Sequence, residues 1–380
     1  MCRFEEYGNC DEETKNQEYC IFHKPNKSEE EAREFYEKFL KKFKPKKERI
    51  WDEFEEEEKE SLVFEETVDC RRYVFPKIPW GFKLVFEYAI FKGDARFYGA
   101  IFEVAQFDGA TFEGGAGFSM ATFEGHARFN GATFEEVAWF VGATFEGIAD
   151  FREKEENSEY KFYCELSFSN AEFRKGVFID IPSEWFKLPS AEAEACRVQR
   201  IFYEREGKKD DADRMFVRER RALRKAKVEE AKANVRKVKE EVKETNSSLR
   251  KVEKIKAELI KAFNLIKATS SYLLAKGSSF LEFLIADLTC EYGINWQRPV
   301  ILWMFFVLFT FPLLYFILGG VKEINSPLDY LYFSIVTATT LGYGDLQPIG
   351  WCKLVASTEA IFGTFMWAVF LAVFARKYMR

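Results

Sequence analysis

The apolar residues of this 380-residue chain follow three different patterns in turn. Early in the chain a phenylalanine recurs every five or six residues, and further along valine and leucine keep a seven-residue register among many charges. Near the end, two long runs are almost wholly apolar. Because each pattern is typical of a different kind of structure, the chain is predicted to be a mixed multidomain protein.

The five-residue pattern predicts a coiled chain of very short extended segments. Alanine stands two positions before each phenylalanine, as in Ala110 with Phe112, and this offset places both side chains on one face of an extended segment. A five-residue period fits neither a helix nor a long strand. Glycines such as Gly109 and Gly142 supply turns, so phenylalanine and alanine should face inward. The repeating phenylalanines are Phe97, Phe102, Phe107, Phe112, Phe118, Phe123, Phe129, Phe134, Phe140 and Phe145.

This repeat resembles the pentapeptide-repeat family. The resemblance covers residues 86–180, with a break at 152–163, and implies a right-handed quadrilateral β-solenoid. Repeat surfaces carry unrelated functions, so we expect a cytoplasmic regulatory or scaffolding domain whose partner or ligand is unknown. Mimicry of DNA, which some soluble relatives perform, is disfavoured because outward positions such as Arg96 and Arg128 are basic.

The two apolar runs predict membrane helices. Pro299 to Val321 gives 23 residues without a charge, and at about 1.5 Å per residue they cross a hydrocarbon core of roughly 30 Å. The second run, Leu354 to Ala375, carries one ionisable residue, Glu359. Between them, Ser326-Pro327 opens a segment too short to span, which should enter the membrane and return. We therefore predict an outer helix at 299–321, a pore helix at 327–339 and an inner helix at 353–376.

A threonine- and glycine-rich stretch, Thr337-Ala338-Thr339-Thr340-Leu341-Gly342-Tyr343-Gly344-Asp345, lies between these helices. A backbone that lines a pore must turn successive carbonyls toward one axis. Glycine permits the left-handed dihedral angles that such a turn needs, and two glycines alternate here with leucine and tyrosine. Irregular backbone at membrane depth persists only when it is buried in protein or faces water.

This stretch resembles the signature of two-helix potassium channels, which implies a pore domain at 298–380 with its filter at 340–344. The resemblance implies that the carbonyls of Thr340, Leu341, Gly342 and Tyr343, with the Thr340 hydroxyl below, replace the hydration shell of K⁺. Gly344 completes the filter. One chain cannot enclose this path, so a homotetramer is implied.

The filter is expected to have supporting residues, and two of them depart from the family pattern. Some bacterial channels carry a glutamate at the position of Val336, where it pairs with the aspartate that follows the filter. Asp345 lacks that partner here, and the hydroxyl of Tyr332 is the candidate substitute. By resemblance, Glu359 lies behind the filter, where a buried carboxylate needs donors from the pore loop. Supporting roles are also expected for Thr337 and Thr339.

Three residues of the inner helix are candidates for gating. Gly363 allows either a hinge or close packing. The bulky side chains of Phe370 and Phe374, near the cytoplasmic end, are expected to close the path by dewetting. In the outer helix, Pro312 should produce a kink.

Flanking charge predicts the orientation. Arg298 precedes the first span, and Arg376, Lys377 and Arg380 follow the second, so both termini of a multi-pass plasma-membrane protein should be cytoplasmic. No secretory signal follows Met1. Residues 278–297 form an amphipathic segment that we expect to lie on the inner lipid surface, with an ordinary core helix as the alternative.

The first 24 residues hold a candidate zinc site. They contain Cys2, Cys10, Cys20 and His23, which are three of eight cysteines and one of two histidines. A Cys3His set is an accepted structural zinc site and can fold a segment too small to have a core. Free, reduced thiols in a reducing compartment are the alternative.

Two charged regions complete the chain. Residues 28–85 are rich in Glu and Lys with interspersed aromatic residues, and predict an acidic helical or capping region. Residues 190–275 predict a basic helical linker or coiled coil, bent at 246–248. Nucleic acid is not an expected partner, because Glu is interleaved through the basic run without an aromatic stacking set.

Together these patterns predict a potassium-selective channel that conducts K⁺ passively through a homotetrameric pore in a lipid membrane. The alternative is a membrane-anchored pentapeptide-repeat scaffold with a weakly selective or non-conducting pore. An enzyme is not expected, because the sequence pairs no nucleophile with a base and contains no phosphate-binding loop.

Overall fold

The computed structural model of the chain describes residues 1–52, 57–79, 86–152, 162–163, 165–243 and 251–378. They divide into two compact units, Met1–Ala226 and Lys227–Arg380. Most of the predicted break at 152–163, the whole predicted bend at 246–248 and the terminal Arg380 lie outside the described residues.

The first unit is built mainly from very short strands. Most are two or three residues long, as a five-residue repeat with a turn in each period requires. The strands are β1 Lys46–Asp52, β2 Glu57–Phe64, β3 Val68–Asp69, β4 Val74–Phe75, β5 Ile90–Phe91, β6 Ala95–Arg96, β7 Ile101–Phe102, β8 Ala105–Gln106, β9 Thr111–Phe112, β10 Ala116–Gly117, β11 Thr122–Phe123, β12 Ala127–Arg128, β13 Thr133–Phe134, β14 Val137–Trp139, β15 Thr144–Phe145, β16 Ile148–Asp150, β17 Glu165–Ser167, β18 Glu172–Phe173 and β19 Gly176–Phe178.

Successive strands from β5 to β16 enter four sheets in turn. The orders are β1-β2-β5-β9-β13, β17-β14-β10-β6-β3, β18-β15-β11-β7-β4 and β19-β16-β12-β8. Apart from the antiparallel pair β1–β2, these ladders are parallel, and Thr111 pairs with Ile90 in the coil before it and with Thr133 in the coil after it. The chain therefore coils as a β-solenoid, as predicted. Its handedness and its quadrilateral cross-section stay predictions.

Stacked phenylalanine rings fill the inside of the coils. Phe112 lies between Phe91 and Phe134, with ring centroids 4.9 and 5.0 Å apart and ring planes within 4° of parallel. Ala110 and Ala121 are fully buried beside the rings. Since burying one phenylalanine contributes about 1.5–3 kcal/mol, the column of rings is the main source of stability in this unit.

A helix covers each end of the solenoid. At the first coil, α1 (Glu29–Phe43) starts with a capping box between Ser28 and Glu31 and packs Phe35 and Phe39 on Phe75, at 5.3 and 6.0 Å between ring centroids. Rings that would otherwise end in water are thereby covered.

At the last coil the covering helix is α2 (Pro189–Arg205). Its Gln199 accepts a hydrogen bond from the N–H of Ile179 at 2.7 Å, and its Glu194 accepts one from the N–H of Phe168 at 2.9 Å. Strand donors that have no further coil to pair with are therefore satisfied. Short 3₁₀ turns occur at Glu5–Tyr7 and Ser183–Trp185.

The region 28–85 differs from the helical prediction. Helix α1 ends at Phe43, its C-cap Lys44 adopts the left-handed conformation, and strands β1 to β4 follow. Phe64 in β2 stacks on Phe91 at 4.9 Å, so the parallel ladders begin before residue 86. The solenoid pattern is hard to detect here because these coils lack the regular alanine and phenylalanine pairs.

The second unit is mainly helical and contains two segments of membrane length. Gln297–Leu318 has 22 residues and Cys352–Tyr378 has 27, and both are apolar enough to cross a bilayer. The elements of this region are α3 Lys209–Lys243, which begins in the first unit, α4 Lys251–Glu282, a π-helical turn Phe283–Leu288, α5 Gln297–Phe305, a π-helical turn Phe306–Thr310, α6 Phe311–Leu318, β20 Val321–Lys322, α7 Pro327–Ala338, β21 Gln347–Pro348 and α8 Cys352–Tyr378.

Local backbone chemistry sets two bounds that differ from the prediction. The outer segment ends at Leu318, before Val321, because Gly319 turns into the left-handed region at φ 58°. The amphipathic segment 278–297 is not one helix: after the π-helical turn the chain turns sharply through Glu291, Tyr292 and Gly293, all with positive φ. Whether it lies on a lipid surface stays a prediction.

Candidate functional site

The loop between α7 and β21 is held at its start by a well-capped helix. Pro327 occupies the first turn of α7, and the Ser326 and Asp329 side chains each accept from the other's backbone N–H. These bonds satisfy donors at the start of the helix. Helix α7 ends at Ala338, one residue before the expected end of the pore helix.

Left-handed residues alternate along this loop. Thr340, Gly342 and Gly344 have φ of 56°, 57° and 82°, whereas Leu341 and Tyr343 between them do not have positive φ. A Cβ on Gly342 or Gly344 would meet no atom within 4 Å, so the backbone angle and not space favours glycine at both positions. Such alternation is what turning successive carbonyls toward one side requires.

Thr340 is the unusual member of the series. A β-branched residue at positive φ is disfavoured by about 1–2 kcal/mol, and this conformation was not predicted. Its Oγ1 donates to the carbonyl of Thr339 at 2.7 Å, and its N–H donates to the carbonyl of Thr337 at 3.0 Å. Thr339 Oγ1 in turn donates to the Ile335 carbonyl at 2.6 Å. These three threonines therefore form a hydrogen-bonded turn.

The structure brings together the hydroxyl of Tyr332 and the carboxylate of Asp345. Tyr332 Oη donates to Asp345 Oδ2 at 2.8 Å. The two residues lie on opposite sides of the loop in sequence, one in α7 and one after Gly344. Val336, at the position where some relatives carry glutamate, is buried, and its carbonyl accepts the N–H of Leu341 at 3.0 Å.

Glu359 on α8 is fully buried against two other helices. Its Oε2 accepts from Tyr315 Oη at 2.6 Å, and its Oε1 lies within hydrogen-bond distance of Ser334 Oγ. Donors were predicted from the pore loop. The partners come instead from α6 and α7, because one helical turn separates Ser334 from the end of α7 and the carboxylate lies at that level.

Gly363 is a close-packing position. A Cβ there would lie 2.1 Å from the carbonyl oxygen of Ala338, and α8 is helical without interruption from Cys352 to Tyr378. Ser334 and Ala338 are four residues apart, as are their neighbours Glu359 and Gly363, so two contacts one turn apart join α7 to α8. A hinge at Gly363 stays a prediction.

The two candidate gate residues contact a tryptophan of the same chain. The rings of Phe370 and Phe374 lie 6.2 and 5.9 Å from the ring of Trp296, between centroids. Arg376 Nη1 donates to the carbonyl of Tyr292 at 3.1 Å. The end of the inner helix is therefore bound to the sharp turn that precedes α5.

The four candidate zinc ligands converge at the N-terminus. Their ligand atoms lie within 4.8 Å of one another. His23 Nδ1 is 3.5 Å from Cys2 Sγ, 3.8 Å from Cys10 Sγ and 2.9 Å from Cys20 Sγ. A tetrahedral zinc ion with ordinary bond lengths separates nitrogen from sulfur by about 3.5 Å, so the set is the right size for this ion.

The surroundings suit a metal-binding imidazole. Nε2 of His23 lies 3.4 Å from the carbonyl of Arg71, which can only accept, so Nε2 carries the proton and Nδ1 faces the thiols. Burial lowers the pKa of His23 to about 4, which keeps the ring neutral. Although burial alone would raise it, the backbone N–H groups of Phe4 and Cys20 lower the pKa of the Cys2 thiol. The residues present therefore fit zinc.

Three residues that contact the predicted site residues were not predicted from the sequence. Tyr315, Ser334 and Trp296 make the contacts described above, yet each looks like an ordinary helix residue in the sequence. The one usable signal was Glu359 itself: a carboxyl in an apolar run needs polar partners, and Tyr315 and Ser334 are two of the few hydroxyls in the neighbouring segments.

Two family models match parts of this chain. The model described as "Ion channel" matches residues 300–380, and the model described as "Pentapeptide repeats (9 copies)" matches residues 107–153. The first range begins three residues into the first membrane-length segment and holds the rest of it, the loop and the second segment. The second range falls within the predicted bounds of the repeat region, 86–180.

Two curated relatives match a stretch of 60 residues. The chain is 40% identical over 60 residues to "Potassium channel K2" of Plasmodium falciparum (isolate 3D7) and 37% identical over 60 residues to "Potassium channel K2" of Plasmodium berghei (strain Anka). In both cases the match covers 14% of this chain and 4% of the relative, so the chain spans only a small part of their length. No solved structure matches the chain. The chain thus resembles a two-helix potassium channel preceded by pentapeptide repeats.

Proposed function

We propose that this chain, in which an ion-channel domain follows a pentapeptide-repeat domain in the sequence, forms a potassium-selective channel that conducts K⁺ passively. The observation that carries the proposal is the alternation of left-handed residues at Thr340, Gly342 and Gly344, in a loop between two membrane-length segments. Carbonyls turned to one side replace the water around a dehydrated cation. The matched relatives named as potassium channels support the choice of ion.

A homotetramer completes the pore. Within one chain Leu341 and Tyr343 are 59% and 68% exposed, although irregular backbone at membrane depth must be buried in protein or line a water-filled cavity. Four copies around an axis supply the missing neighbours for this loop. The fourfold arrangement itself comes from the resemblance to potassium channels.

Helix α4 offers a second contact between copies. Its apolar side chains at a strict seven-residue spacing, Leu259, Ile266, Leu273 and Phe280, are 60% to 66% exposed. A straight α-helix drifts by about 20° per heptad from such a repeat, so a spacing that is kept over three heptads favours a supercoiled partner. Copies of the same helix satisfy this requirement.

Ion flux tests the proposed channel. Purified full-length protein in liposomes should pass K⁺ and exclude Na⁺, and Ba²⁺ should block the flux. Equal K⁺ and Na⁺ flux, or no flux from correctly folded protein, contradicts the proposal and favours the alternative of a membrane-anchored scaffold.

Cross-linking tests the assembly. A cysteine at Ile266 should form disulfides between copies above the background of the parent chain. The matched control is Asn264→Cys. Position 264 is two residues from position 266, so it lies on the opposite side of α4. Equal cross-linking of both variants would contradict the α4 contact.

The membrane orientation follows the charges. Arg298 before the first span and Arg376 and Lys377 after the second place both ends of the pore domain in the cytoplasm of a plasma-membrane protein, with the solenoid as a cytoplasmic regulatory or scaffolding domain. Membrane-impermeant labelling of single cysteines should therefore reach a cysteine at Gln347 from outside and one at Met120 only after permeabilisation.

Structural Zn²⁺ holds the N-terminal segment through Cys2, Cys10, Cys20 and His23. The segment rests on the first coil, where Asn9 Nδ2 donates to the Arg71 carbonyl at 2.9 Å. Metal analysis should find zinc with the wild type and much less with Cys20→Ser, whereas the control Cys290→Ser should keep it. Equal zinc in the two variants would contradict this site.

A further inference from the structure

The carbonyl of Val307 lacks its helical donors. The N–H of Phe311, four residues later, donates to the carbonyl of Phe306 as part of the π-helical turn. The next residue, Pro312, stands where a π-helical donor would be and has no N–H. Val307 is fully buried, and a buried carbonyl without a partner is destabilising.

The hydroxyl of Ser334 supplies the missing donor. Ser334 Oγ lies 2.7 Å from the Val307 carbonyl, and a carbonyl can only accept. A serine hydroxyl has one proton, so that proton is committed to Val307. Toward Glu359, the Ser334 oxygen can then only accept a hydrogen bond.

We infer that Glu359 is a neutral carboxylic acid that donates a hydrogen bond to Ser334. Two oxygens at hydrogen-bond distance need one proton between them, and Ser334 has none to give. The chain of bonds then runs in one direction. Tyr315 Oη–H donates to Glu359 Oε2, Glu359 Oε1–H donates to Ser334 Oγ, and Ser334 Oγ–H donates to the Val307 carbonyl.

The electrostatic surroundings agree with this assignment. Glu359 is fully buried in a segment of membrane length, and within the described part of the chain no Lys or Arg forms an ion pair with it. The groups that face it are the Tyr315 hydroxyl from α6 and the Ser334 hydroxyl from α7. The thiol of Cys352, a residue of α8, packs in the same apolar cluster as Tyr315. None of these is a cation, so an ionised carboxylate would be buried without a counter-charge.

The neutral acid is a positioning residue for the proposed filter. Its acceptor Ser334 lies six residues before Thr340. The contact between Gly363 and Ala338 lies one helical turn closer to Thr340. Together they fix the end of α7 between the outer and inner segments. This role in conduction rests on the proposed channel function, whereas the protonation state does not.

Infrared spectroscopy tests the protonation state directly. The spectrum of wild-type protein at neutral pH minus that of Glu359→Gln should contain the C=O stretching band of a carboxylic acid. Glutamine keeps one donor and one acceptor in the same shape, so this variant should fold. A difference spectrum with carboxylate bands in place of the acid band would overturn the inference.

Two further variants test the direction of the bonds. Tyr315→Phe removes the donor to the acid's C=O, so the acid band should move to higher frequency. Ser334→Ala removes the acceptor of the acid's O–H and should also shift the band, while Ser357→Ala on the far side of α8 should not. A band that stays unmoved in both variants would show that the acid belongs to another residue.

The two proposals fail separately. An acid band together with absent K⁺ flux in wild-type protein would remove the channel and leave the protonated Glu359. Selective K⁺ flux with an ionised Glu359 would do the reverse.

Discussion

The solenoid and the pore domain satisfy their backbone and apolar groups in opposite ways. In the solenoid, each inner coil pairs with the coils before and after it, and the Phe112 ring is fully buried within one chain. In the pore domain, the side chains of Leu341 and Tyr343 and much of both membrane-length segments are exposed in the same single chain. The chain alone therefore buries the apolar groups of the first region, whereas in the proposed channel lipid and other copies would cover those of the second.

The largest effect on K⁺ flux is expected from a substitution at Gly342. Gly342→Ala places a Cβ at φ 57° in open space, which is disfavoured by about 1–2 kcal/mol in every copy, and we expect loss of K⁺ flux. The control is Gly350→Ala, also in open space at φ 55°, which should conduct. Liposome flux is the measurement, and equal effects of the two variants would contradict a special role for the 340–344 backbone.

A solenoid variant should show the reverse behaviour. Phe118 is fully buried between Phe97 and Phe140, at 5.0 and 5.1 Å between centroids, so Phe118→Ala should lower the free energy of unfolding by about 3–5 kcal/mol. The control Trp139→Ala removes a ring that is 46% exposed, and its effect should be below about 1 kcal/mol. Hydrogen exchange of the full-length protein measures both. Similar losses would mean that the ring column does not carry the stability.

Single hydrogen bonds sharpen the comparison at smaller scale. Tyr332→Phe removes the donor to Asp345 across the filter loop, a bond to a charged group worth about 1.5–3 kcal/mol when shielded and less at this exposed position. We expect K⁺ over Na⁺ selectivity to fall severalfold. Tyr330→Phe, in the same helix, should leave selectivity unchanged, and an effect as large as that of Tyr332→Phe would rule out a specific brace.

The smallest expected effect lies at the solenoid's first end. Ser28→Ala removes one half of the capping box of α1, which should cost about 1 kcal/mol of local stability. Hydrogen exchange should become faster in Glu29–Phe43 and stay unchanged in the later coils, because each coil contacts only its neighbours. Faster exchange throughout the unit would instead indicate one cooperative block.

Local patterns allowed much of this molecule to be predicted. The alanine and phenylalanine repeat predicted the inward side chains of the solenoid, and two apolar runs around a short segment predicted the order of helices at the C-terminal end. Both predictions depend on residues a few positions apart, where periodicity directly reports which side of an element is buried.

Long-range contacts could not be predicted in the same way. Tyr315 and Glu359 are 44 residues apart, and Ser334 and Glu359 are 25 apart, so no local period links them. The left-handed Thr340 also gave no signal, since threonine usually avoids that conformation and only the surrounding turn imposes it. The strands at 46–75 were missed because their charges match a helical surface as well as a strand.

The coil of the solenoid has a consequence for how this protein can change over generations. Ile90, Thr111 and Thr133 occupy equivalent positions in successive coils, and each pairs with the next. One whole coil can therefore be duplicated or deleted, because the neighbouring coils then form the same core contacts as before. Each such change alters the length of the stack by about 4.8 Å. Homologous proteins should therefore differ in length here by whole coils.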